Sequence, residues 1–338
     1  MTAPAMPAPI AARPAPRHLL TLDDLGSEGL RAIIDLAATV KADPSAVRGA
    51  LAGGRIGMIF EAPSTRTRVS FEAAAWLLGA LPIVLRLDEL QLGRGETVAD
   101  TARALSLYLD GLTIRAFSQS AVEEFAAAAS IPVINALTGE HHPCQAMADV
   151  LTLREEFGSL AGVKVAFVGD GDNVCASLIE AAGLAGFDLH VATPPGYEPS
   201  APVVFRSRIA ASSTGGSVTV SHDPLLAVDG ADAVYADVWT SIGHDAERAG
   251  RREIFERFRV DASLMSRAAR SAIFLHCLPA HRGEEVTAEV IDGPQSRVWR
   301  QAENRLHTEV ALLHELLAGD RREGHAADRS RPGLARTA

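Results

Sequence analysis

The side chains best suited to bind an anion are concentrated in residues 64–68, which read Ser-Thr-Arg-Thr-Arg. An apolar run at 56–60, typical of a buried strand, precedes them, and a helical pattern follows as far as Leu81. At a strand-to-helix turn, unpaired backbone N–H groups and the helix dipole favour negative charge. Hydroxyl and guanidinium donors strengthen that preference. The segment therefore predicts a phosphate site, in preference to a plain helix cap with two solvated arginines.

Two further polar groups stand where predicted elements end or begin. Arg115 ends a predicted strand and could add a second positive arm, with a surface ion pair as the alternative. His142 and Gln145 belong to the sequence His-His-Pro-Cys-Gln, which opens a predicted helix at 143–157. Imidazole and amide donors at a helix N-terminus suit a carbonyl oxygen or an oxyanion, whereas helix capping or packing is the alternative.

The second half of the chain carries two polar loops after predicted strands. Asp237 begins Asp-Val-Trp-Thr-Ser-Ile-Gly, which could bind a substrate with an ammonium and a carboxylate. Cys277 lies in His-Cys-Leu-Pro-Ala-His-Arg, where we expect a cis peptide bond between Leu278 and Pro279. Because no general base is identifiable beside Cys277, the sequence does not favour a covalent nucleophile.

Two cofactor hypotheses fit the sequence poorly. A zinc site made of His142, Cys144, His276 and Cys277 lacks the usual ligand spacing. Residues 168–173, Val-Gly-Asp-Gly-Asp-Asn, have only two of the three glycines of a dinucleotide fingerprint, and the next strand does not end in an acidic residue. A tight polar turn that offers Asp172 or Asn173 to a substrate is the preferred interpretation.

The composition limits the classes of partner. The chain has 338 residues and a formal net charge of −10, which argues against nucleic acid or an anionic membrane as the main partner. No apolar run approaches the roughly 20 residues of a membrane span. Three cysteines at wide spacing indicate a reducing compartment, and we expect a cytoplasmic protein.

Strand and helix patterns alternate along the chain, which predicts an α/β protein with two doubly wound, Rossmann-like parallel sheets joined by interdomain helices. We expect nine strands, at 56–60, 82–85, 111–115, 132–135, 164–168, 189–192, 218–220, 233–235 and 273–275. The expected divisions are a disordered tail at 1–18, domains at 19–150 and 151–302, a C-terminal helix at 303–319 that packs back on the first domain, and a loose tail at 320–338.

Taken together, these motifs resemble those of the ornithine carbamoyltransferases. The combination of Ser-Thr-Arg-Thr-Arg, His-Pro-Cys-Gln, Asp-x-Trp-x-Ser, His-Cys-Leu-Pro and Glu-Asn-Arg is highly specific and runs in order over about residues 18–317. The resemblance implies that the first domain binds carbamoyl phosphate and the second binds ornithine. It implies transfer of the carbamoyl group to the side-chain amine of L-ornithine, giving L-citrulline and phosphate. It also implies a homotrimer and no metal or organic cofactor.

The resemblance also assigns the site residues. Carbamoyl phosphate is assigned to Ser64, Thr65, Arg66, Thr67, Arg115, His142, Gln145 and Arg305, with Gln91 reaching a neighbouring subunit's active site. Ornithine is assigned to Asn173, Asp237, Ser241, Ile242, Cys277 and Leu278. Catalysis is assigned to Arg115, His142, Asp237, Cys277 and Arg305. Cys277 is interpreted as a polar group that positions the amine.

Two positions depart from the family pattern. Ala62 replaces a usual lysine before the anion turn, and Ile242 replaces a usual methionine in the Asp237 loop. The acceptor could therefore be an ornithine analogue, putrescine, lysine or aspartate, although Cys144 and Asp237 argue against aspartate. A non-catalytic carbamoyl-phosphate-binding subunit is a further alternative, which retention of the arginines and of His142 disfavours.

Overall fold

Two parallel β-sheets, each flanked by helices, organise the chain. The structure is a computed structural model that describes residues 17–92, 94–240 and 248–329. The first half contains α1 (Gly26–Ala42), β1 (Arg55–Phe60), α2 (Thr65–Leu77), β2 (Leu81–Arg86), α3 (Val98–Tyr108), β3 (Gly111–Arg115), α4 (Gln119–Ala128), β4 (Val133–Leu137) and α5 (Pro143–Phe157).

The second half repeats the alternation of strands and helices. It contains β5 (Lys164–Val168), α6 (Asn173–Ala185), β6 (Asp188–Ala192), α7 (Ala201–Thr214), β7 (Ser217–Ser221), α8 (Pro224–Val228), β8 (Ala233–Ala236), α9 (Arg248–Phe255), α10 (Ala262–Met265), β9 (Ile273–Leu275), α11 (Ala288–Ile291) and α12 (Val298–Arg329). All nine predicted strands are present, with ends that differ by one or two residues at most.

The strand order of each sheet determines where a ligand can bind. The first sheet runs β2-β1-β3-β4 and the second β7-β6-β5-β8-β9, and all strand pairs are parallel. The chain therefore winds outward in both directions from β1 and from β5. The loops that follow strands on either side of such a point diverge and leave a crevice at the carboxyl edge of the sheet. The predicted α/β fold with two parallel sheets is confirmed.

Burial follows from this arrangement. Strands β4, at one edge of the first sheet, and β8, inside the second, are buried along their whole length. The edge strand β2 is only half-buried. Helix α12 packs against α1, α2 and α5, so a segment late in the sequence lies against the first half of the chain.

Several predicted helix limits were wrong. Helix α2 ends at Leu77, before the predicted Leu81, because Gly79 adopts a φ of 78° and Leu81 already begins β2. Helix α12 begins at Val298, before the predicted residue 303, and continues to Arg329, so 320–329 is helical where a loose tail was expected. This part of α12 is rich in Ala, Arg and Glu, which favour a helix. They continue the helix through two glycines, each of which lowers helix stability by about 1 kcal/mol.

The remaining predicted tail residues, 1–16 and 330–338, lie outside the described residues, and the predicted domain limits stay predictions. No helix in the described ranges is both long enough and apolar enough to cross a membrane.

Candidate active site

A cavity of about 450 Å³ lies where the carboxyl edges of the two sheets meet. Each sheet contributes the loops that follow several of its strands, so residues far apart in sequence lie side by side in the lining of the cavity. The predicted site residues that line it are Ser64, Thr65, Arg66, Thr67, Arg115, His142, Asn173, Asp237, Cys277, Leu278 and Arg305. The structure thus brings both predicted binding groups into one cavity.

The structure places two predicted site residues, Gln145 and Gln91, away from the cavity lining. Gln145 is buried behind the cavity wall, where it contacts Arg305. Gln91 lies on an exposed loop beyond the edge strand β2 and does not line the cavity. Ser241 and Ile242 lie outside the described residues.

The start of helix α2 forms one end of the cavity. Ser64 is the N-cap residue, with φ −151° and ψ 105°, and its side chain makes no capping hydrogen bond to the helix. Thr65, Arg66 and Thr67 occupy the first helical turn, where backbone N–H groups have no intrahelical acceptor. The geometry therefore provides an N-terminal anion site with hydroxyl and guanidinium donors beside it.

Three guanidinium groups converge on this end. Burial, together with the charges of Arg305 and Arg66, lowers the pKa of Arg115 to about 10. Burial likewise lowers the pKa of Arg66. The Nε atom of Arg115 is buried and has no hydrogen-bond partner among the described residues. Because these like charges repel one another at low dielectric, a bound dianion would relieve the cost of holding them together.

Arg305 is held in place from several sides. Its Nε donates to Glu309 Oε1 at 3.0 Å, one turn later on α12. Its Nη1 donates to Gln145 Oε1 at 3.0 Å, and its Nη2 to Thr67 Oγ1 at 3.3 Å. Arg305 is therefore a buried, oriented cation that links the last helix to the start of α2.

His142 precedes the first turn of α5 and is buried. Its backbone N–H donates to Ser177 Oγ at 2.8 Å. Burial, followed by the charges of Arg305, Arg115 and Arg66, holds its pKa well below 6.5. The imidazole is accordingly neutral at physiological pH and can donate one hydrogen bond to an oxygen without carrying charge.

Asp237 and Cys277 form the opposite end. The Cys277 Sγ donates to Asp237 Oδ1 at 2.9 Å, and the Val238 N–H donates to the same oxygen at 2.7 Å. Burial raises the pKa of Asp237. Burial and the charge of Asp237 raise the pKa of Cys277 well above 9. Cys277 is therefore a protonated thiol, a poor nucleophile that serves as a hydrogen-bond donor.

The loop that carries Cys277 has a fixed backbone. The Leu278–Pro279 peptide bond is cis, as predicted, and Leu278 has a φ of 59°, which is rare for a residue with a side chain. The Leu278 N–H donates to His276 Nδ1 at 2.9 Å, and the other ring nitrogen lies 3.2 Å from Glu285 Oε1. These contacts direct the Leu278 carbonyl oxygen to Arg66 Nη2, 2.7 Å away.

Asn173, at the start of α6, joins the two halves of the cavity. Its Nδ2 donates to the Thr138 carbonyl at 2.6 Å, and its Oδ1 accepts from the Val174 N–H at 2.7 Å. Its predicted contact with ornithine remains a prediction.

The glycine turn after β5 offers no room for a dinucleotide phosphate. A Cβ atom on Gly171 would lie 2.3 Å from Pro199 N and 2.5 Å from Tyr197 O. The Gly171 N–H already donates to Tyr197 O at 2.9 Å. The close approach that this glycine permits is thus filled by the chain's own backbone.

Two groups of side chains in the described ranges have ligand atoms close enough for a metal ion, Asp237–His276–Cys277 and His281–Glu284–Glu285. In the first, the ring nitrogens of His276 contact Leu278 and Glu285, and the Cys277 thiol bonds to Asp237. The zinc set considered from the sequence is different, and neither group contains its members His142 and Cys144. Cys144 is buried, and its Sγ donates to Asn135 O at 3.4 Å.

Sequence reasoning missed Thr240 and His281, which also line the cavity, and Glu309, which orients Arg305. The spacing of four between Arg305 and Glu309 on one helix is the signal that identifies such a pair. Nothing in the local sequence identifies His281, because its position depends on how the loop after β9 turns.

Family models match nearly the whole described chain. A model described as the carbamoyl-P binding domain of aspartate/ornithine carbamoyltransferase matches residues 17–155. A second, described as the Asp/Orn binding domain of the same family, matches residues 161–316.

Individual relatives agree with these models. The ornithine carbamoyltransferase of Acidothermus cellulolyticus is 50% identical over 301 residues, which are 89% of this chain and 96% of the relative. That of Methanothermobacter thermautotrophicus is 51% identical, over 89% of this chain and 99% of the relative. The solved ornithine carbamoyltransferase of Pyrococcus furiosus has a TM-score of 0.87 and 48% identity, and it covers 90% of this chain and 98% of its own.

Proposed function

The chain belongs to the aspartate/ornithine carbamoyltransferase family, and we propose that it transfers the carbamoyl group of carbamoyl phosphate to the side-chain amine of L-ornithine, giving L-citrulline and phosphate. One observation carries this proposal: a single cavity has three guanidinium groups at one end and the Asp237–Cys277 pair at the other. The first end suits a phosphate dianion and the second suits an amine.

Binding of carbamoyl phosphate is assigned to the end formed by α2. The N-terminus of the helix, with Ser64, Thr65 and Thr67, surrounds the phosphate, and Arg66 supplies a bidentate partner. Arg115 and Arg305 extend the positive charge toward the carbonyl group. Because Arg305 is already held by hydrogen bonds to Gln145, Thr67 and Glu309, little reorganisation of this cation is needed when charge develops on the carbonyl oxygen.

The chemical step is the attack of a neutral amine on the carbamoyl carbon. Negative charge then builds on the carbonyl oxygen, where His142, Arg115 and Thr67 stabilise it. The carbon–oxygen bond to phosphate breaks, and the phosphate takes up the proton that the attacking nitrogen loses. The leaving phosphate remains at the N-terminus of α2, which already balances its charge. Holding two substrates together in one cavity can contribute roughly 7–11 kcal/mol to such a reaction.

Asp237 and Cys277 orient the attacking amine. An ordinary amine of this type has a pKa of about 10, so it arrives as an ammonium ion that a carboxylate attracts. Asp237, whose pKa is raised by burial, binds this ion and accepts one proton from it, so that a neutral nitrogen faces the carbonyl carbon. Asn173, Leu278, Ser241 and Ile242 complete the proposed amino-acid site.

We also propose a homotrimer in which Gln91 reaches a neighbouring active site. Its exposed position on the loop beyond β2 is compatible with that role. A cytoplasmic location is proposed because Cys144, Cys175 and Cys277 are all free thiols.

The test measures ureido product from carbamoyl phosphate with ornithine, lysine, putrescine, aspartate and an acylated ornithine. We expect the highest kcat/KM with ornithine. Product with another amine but not with ornithine would show that the reaction is carbamoyl transfer but that the acceptor is a different amine, an outcome that Ala62 and Ile242 allow. No product with any amine, in a protein that binds carbamoyl phosphate by calorimetry, would support the non-catalytic alternative.

A further inference from the structure

A buried carboxylate, Asp149 on α5, lies behind both ends of the active-site cavity and touches neither. It is fully buried. Its Oδ1 accepts from Gln145 Nε2 at 2.8 Å and from Gln301 Nε2 at 2.6 Å, and its Oδ2 accepts from the Tyr235 hydroxyl at 3.2 Å. One carboxylate thus receives three donors, from α5, α12 and β8.

These contacts determine which way two glutamine side chains point. Burial raises the pKa of Asp149 to about 7, and its three hydrogen-bond donors oppose that rise. The ionised carboxylate can only accept hydrogen bonds, so each amide then presents its nitrogen to Asp149 and its oxygen in the opposite direction. Gln145 Oε1 then accepts from Arg305 Nη1 at 3.0 Å. Gln301 Oε1 accepts from the His276 N–H at 2.9 Å. The orientation of both amides follows from the chemistry of their partners.

The two glutamines lead to opposite ends of the cavity. Gln145 fixes Arg305, at the end proposed for carbamoyl phosphate. Gln301 fixes the first backbone N–H of the loop that carries Cys277 and Leu278, at the end proposed for the amine. Gln301 Nε2 also donates to the Tyr235 hydroxyl at 3.0 Å, which closes the network.

We propose that Asp149 is a positioning residue that sets the geometry of both substrate sites at once, through Gln145 for Arg305 and through Gln301 for the Cys277 loop. The inference rests on the proposed carbamoyl transfer. It predicts that changes at the two glutamines affect different kinetic constants, because each glutamine positions groups for a different substrate. A general loss of stability does not produce that pattern.

The test compares kinetic constants of folded variants. Asp149→Leu keeps the approximate volume of the side chain and removes every acceptor. We expect a loss of about 100-fold in kcat/KM for both substrates, the size of effect that a misplacement of about 1 Å produces. Asp149→Asn keeps one acceptor oxygen for both glutamines, so we expect it to retain most of the activity that Asp149→Leu loses.

Two variants separate the branches. Gln301→Met should raise the KM for ornithine by a larger factor than it weakens the calorimetric affinity for carbamoyl phosphate, because it reaches Arg66 only through the Leu278 carbonyl. Gln145→Met should weaken carbamoyl phosphate binding first. Adding Asp149→Leu to Gln301→Met should cause no further rise in the KM for ornithine, because both changes break the same connection.

Leu189→Ala in the core of the second sheet is the control for stability, since it removes buried apolar contacts away from the network. We expect a lower unfolding temperature and unchanged kinetic constants. Unchanged constants in Asp149→Leu would overturn the positioning role while leaving the reaction intact. If Asp149→Leu does not fold, an unchanged ornithine KM in Gln301→Met overturns the role instead. A wild-type protein that makes no ureido product would refute the proposed function separately.

Discussion

Arg66 donates a hydrogen bond of 2.7 Å from Nη2 to the carbonyl oxygen of Leu278, across the cavity between the two sheets. The bond joins the arginine proposed for phosphate to the loop proposed for the amine. A guanidinium has five N–H donors in a rigid fork, so Arg66 can keep this bond and still present a second edge to an anion. Through this hydrogen bond, the side chain proposed to bind the anion at one end of the cavity also contacts the backbone of the loop at the other end.

Arg66→Ala should abolish tight binding of carbamoyl phosphate. Two charge-assisted hydrogen bonds, each worth about 1.5–3 kcal/mol, correspond to at least about a 100-fold rise in Kd. The guanidinium of Arg66 is desolvated enough for its pKa to fall, but the residue as a whole remains exposed, so we expect little change in the unfolding midpoint. Calorimetric titration with carbamoyl phosphate measures the affinity directly.

Arg68→Ala is the matched control for Arg66→Ala. Arg68 lies two residues later in the same motif, is exposed, and pairs with Glu72 at 2.7 Å on the helix surface. Exposed ion pairs of this kind contribute only about 0–1 kcal/mol to stability, and the loss of Arg68 should change the Kd for carbamoyl phosphate by less than about fivefold. An unchanged Kd in Arg66→Ala, or equal losses in the two variants, would contradict the assignment of the anion site.

His142 should stay neutral throughout the pH range of activity. Burial and three nearby guanidinium groups favour its uncharged form, and its pKa lies well below 6.5. The imidazole would take up a proton only as pH falls below that depressed value. The pH profile of kcat should therefore contain no ionisation near pH 6.5 that disappears in the His142→Asn variant. His142→Ala should lower kcat by about 10²–10³-fold, as expected when one donor to a developing oxyanion is lost.

Isotope-edited NMR titration of the ring checks this prediction independently of turnover. A His142 resonance that titrates at an ordinary histidine pKa would show that the positive cluster does not act on it.

The sequence predicted the fold well because its signals are local. Each strand is a short apolar run between turn residues, so all nine strands were found, and the family predicted from the motifs is confirmed by the relatives. Helix ends were less accurate where tertiary contacts lie beside them: α12 begins at Val298, directly after Arg297, whose backbone N–H donates to the Phe274 carbonyl of β9 at 2.9 Å. The amphipathic pattern alone does not reveal that contact.

The site was predicted as a set of motifs and not as a geometry. Ser64, Arg115, His142 and Cys277 could be chosen because each follows a strand or begins a helix. The Asp149 network could not, since Gln145, Gln301 and Tyr235 become neighbours only after α5, α12 and β8 have packed together. A buried carboxylate looks like any surface aspartate in the sequence.

Cys277 should behave as a hydrogen-bond donor and not as a nucleophile. Cys277→Ser keeps a donor for Asp237, so we expect kcat to remain within about tenfold of the wild-type value. Cys277→Ala removes the donor and should lower kcat by about 10- to 100-fold, the effect of losing a hydrogen bond of about 1.5–3 kcal/mol to a charged group. Steady-state assays with both substrates saturating measure the difference.

A covalent role makes the opposite prediction for the serine variant. If Cys277 carried the carbamoyl group, serine would abolish turnover as completely as alanine, and mass spectrometry of rapidly quenched wild-type protein would detect the carbamoyl adduct. Finding that adduct would reject the positioning role of Cys277.

Glu180 should make the stability of the fold fall as pH rises. This buried carboxyl on α6 accepts from the Leu22 N–H at 3.0 Å and lies 3.3 Å from His141 Nδ1. Burial, followed by the charge of Asp23, raises its pKa to about 8 from an ordinary value of 4.5. Between these two values the folded state holds a proton that the unfolded state has lost, so the free energy of unfolding decreases with increasing pH across that window.

Glu180→Gln isolates this contribution because the amide keeps an acceptor for Leu22 and cannot ionise. Urea unfolding of both proteins at intervals between about pH 5 and pH 9 should show the wild-type protein losing stability relative to the variant as pH rises. Groups distant from Glu180 titrate alike in the two proteins, so their difference reports Glu180 together with its neighbour His141. A difference that stays constant with pH would mean that Glu180 has the same pKa in the folded protein as in the unfolded chain. The carboxyl that contacts the segment before α1 would then be ionised across this pH range.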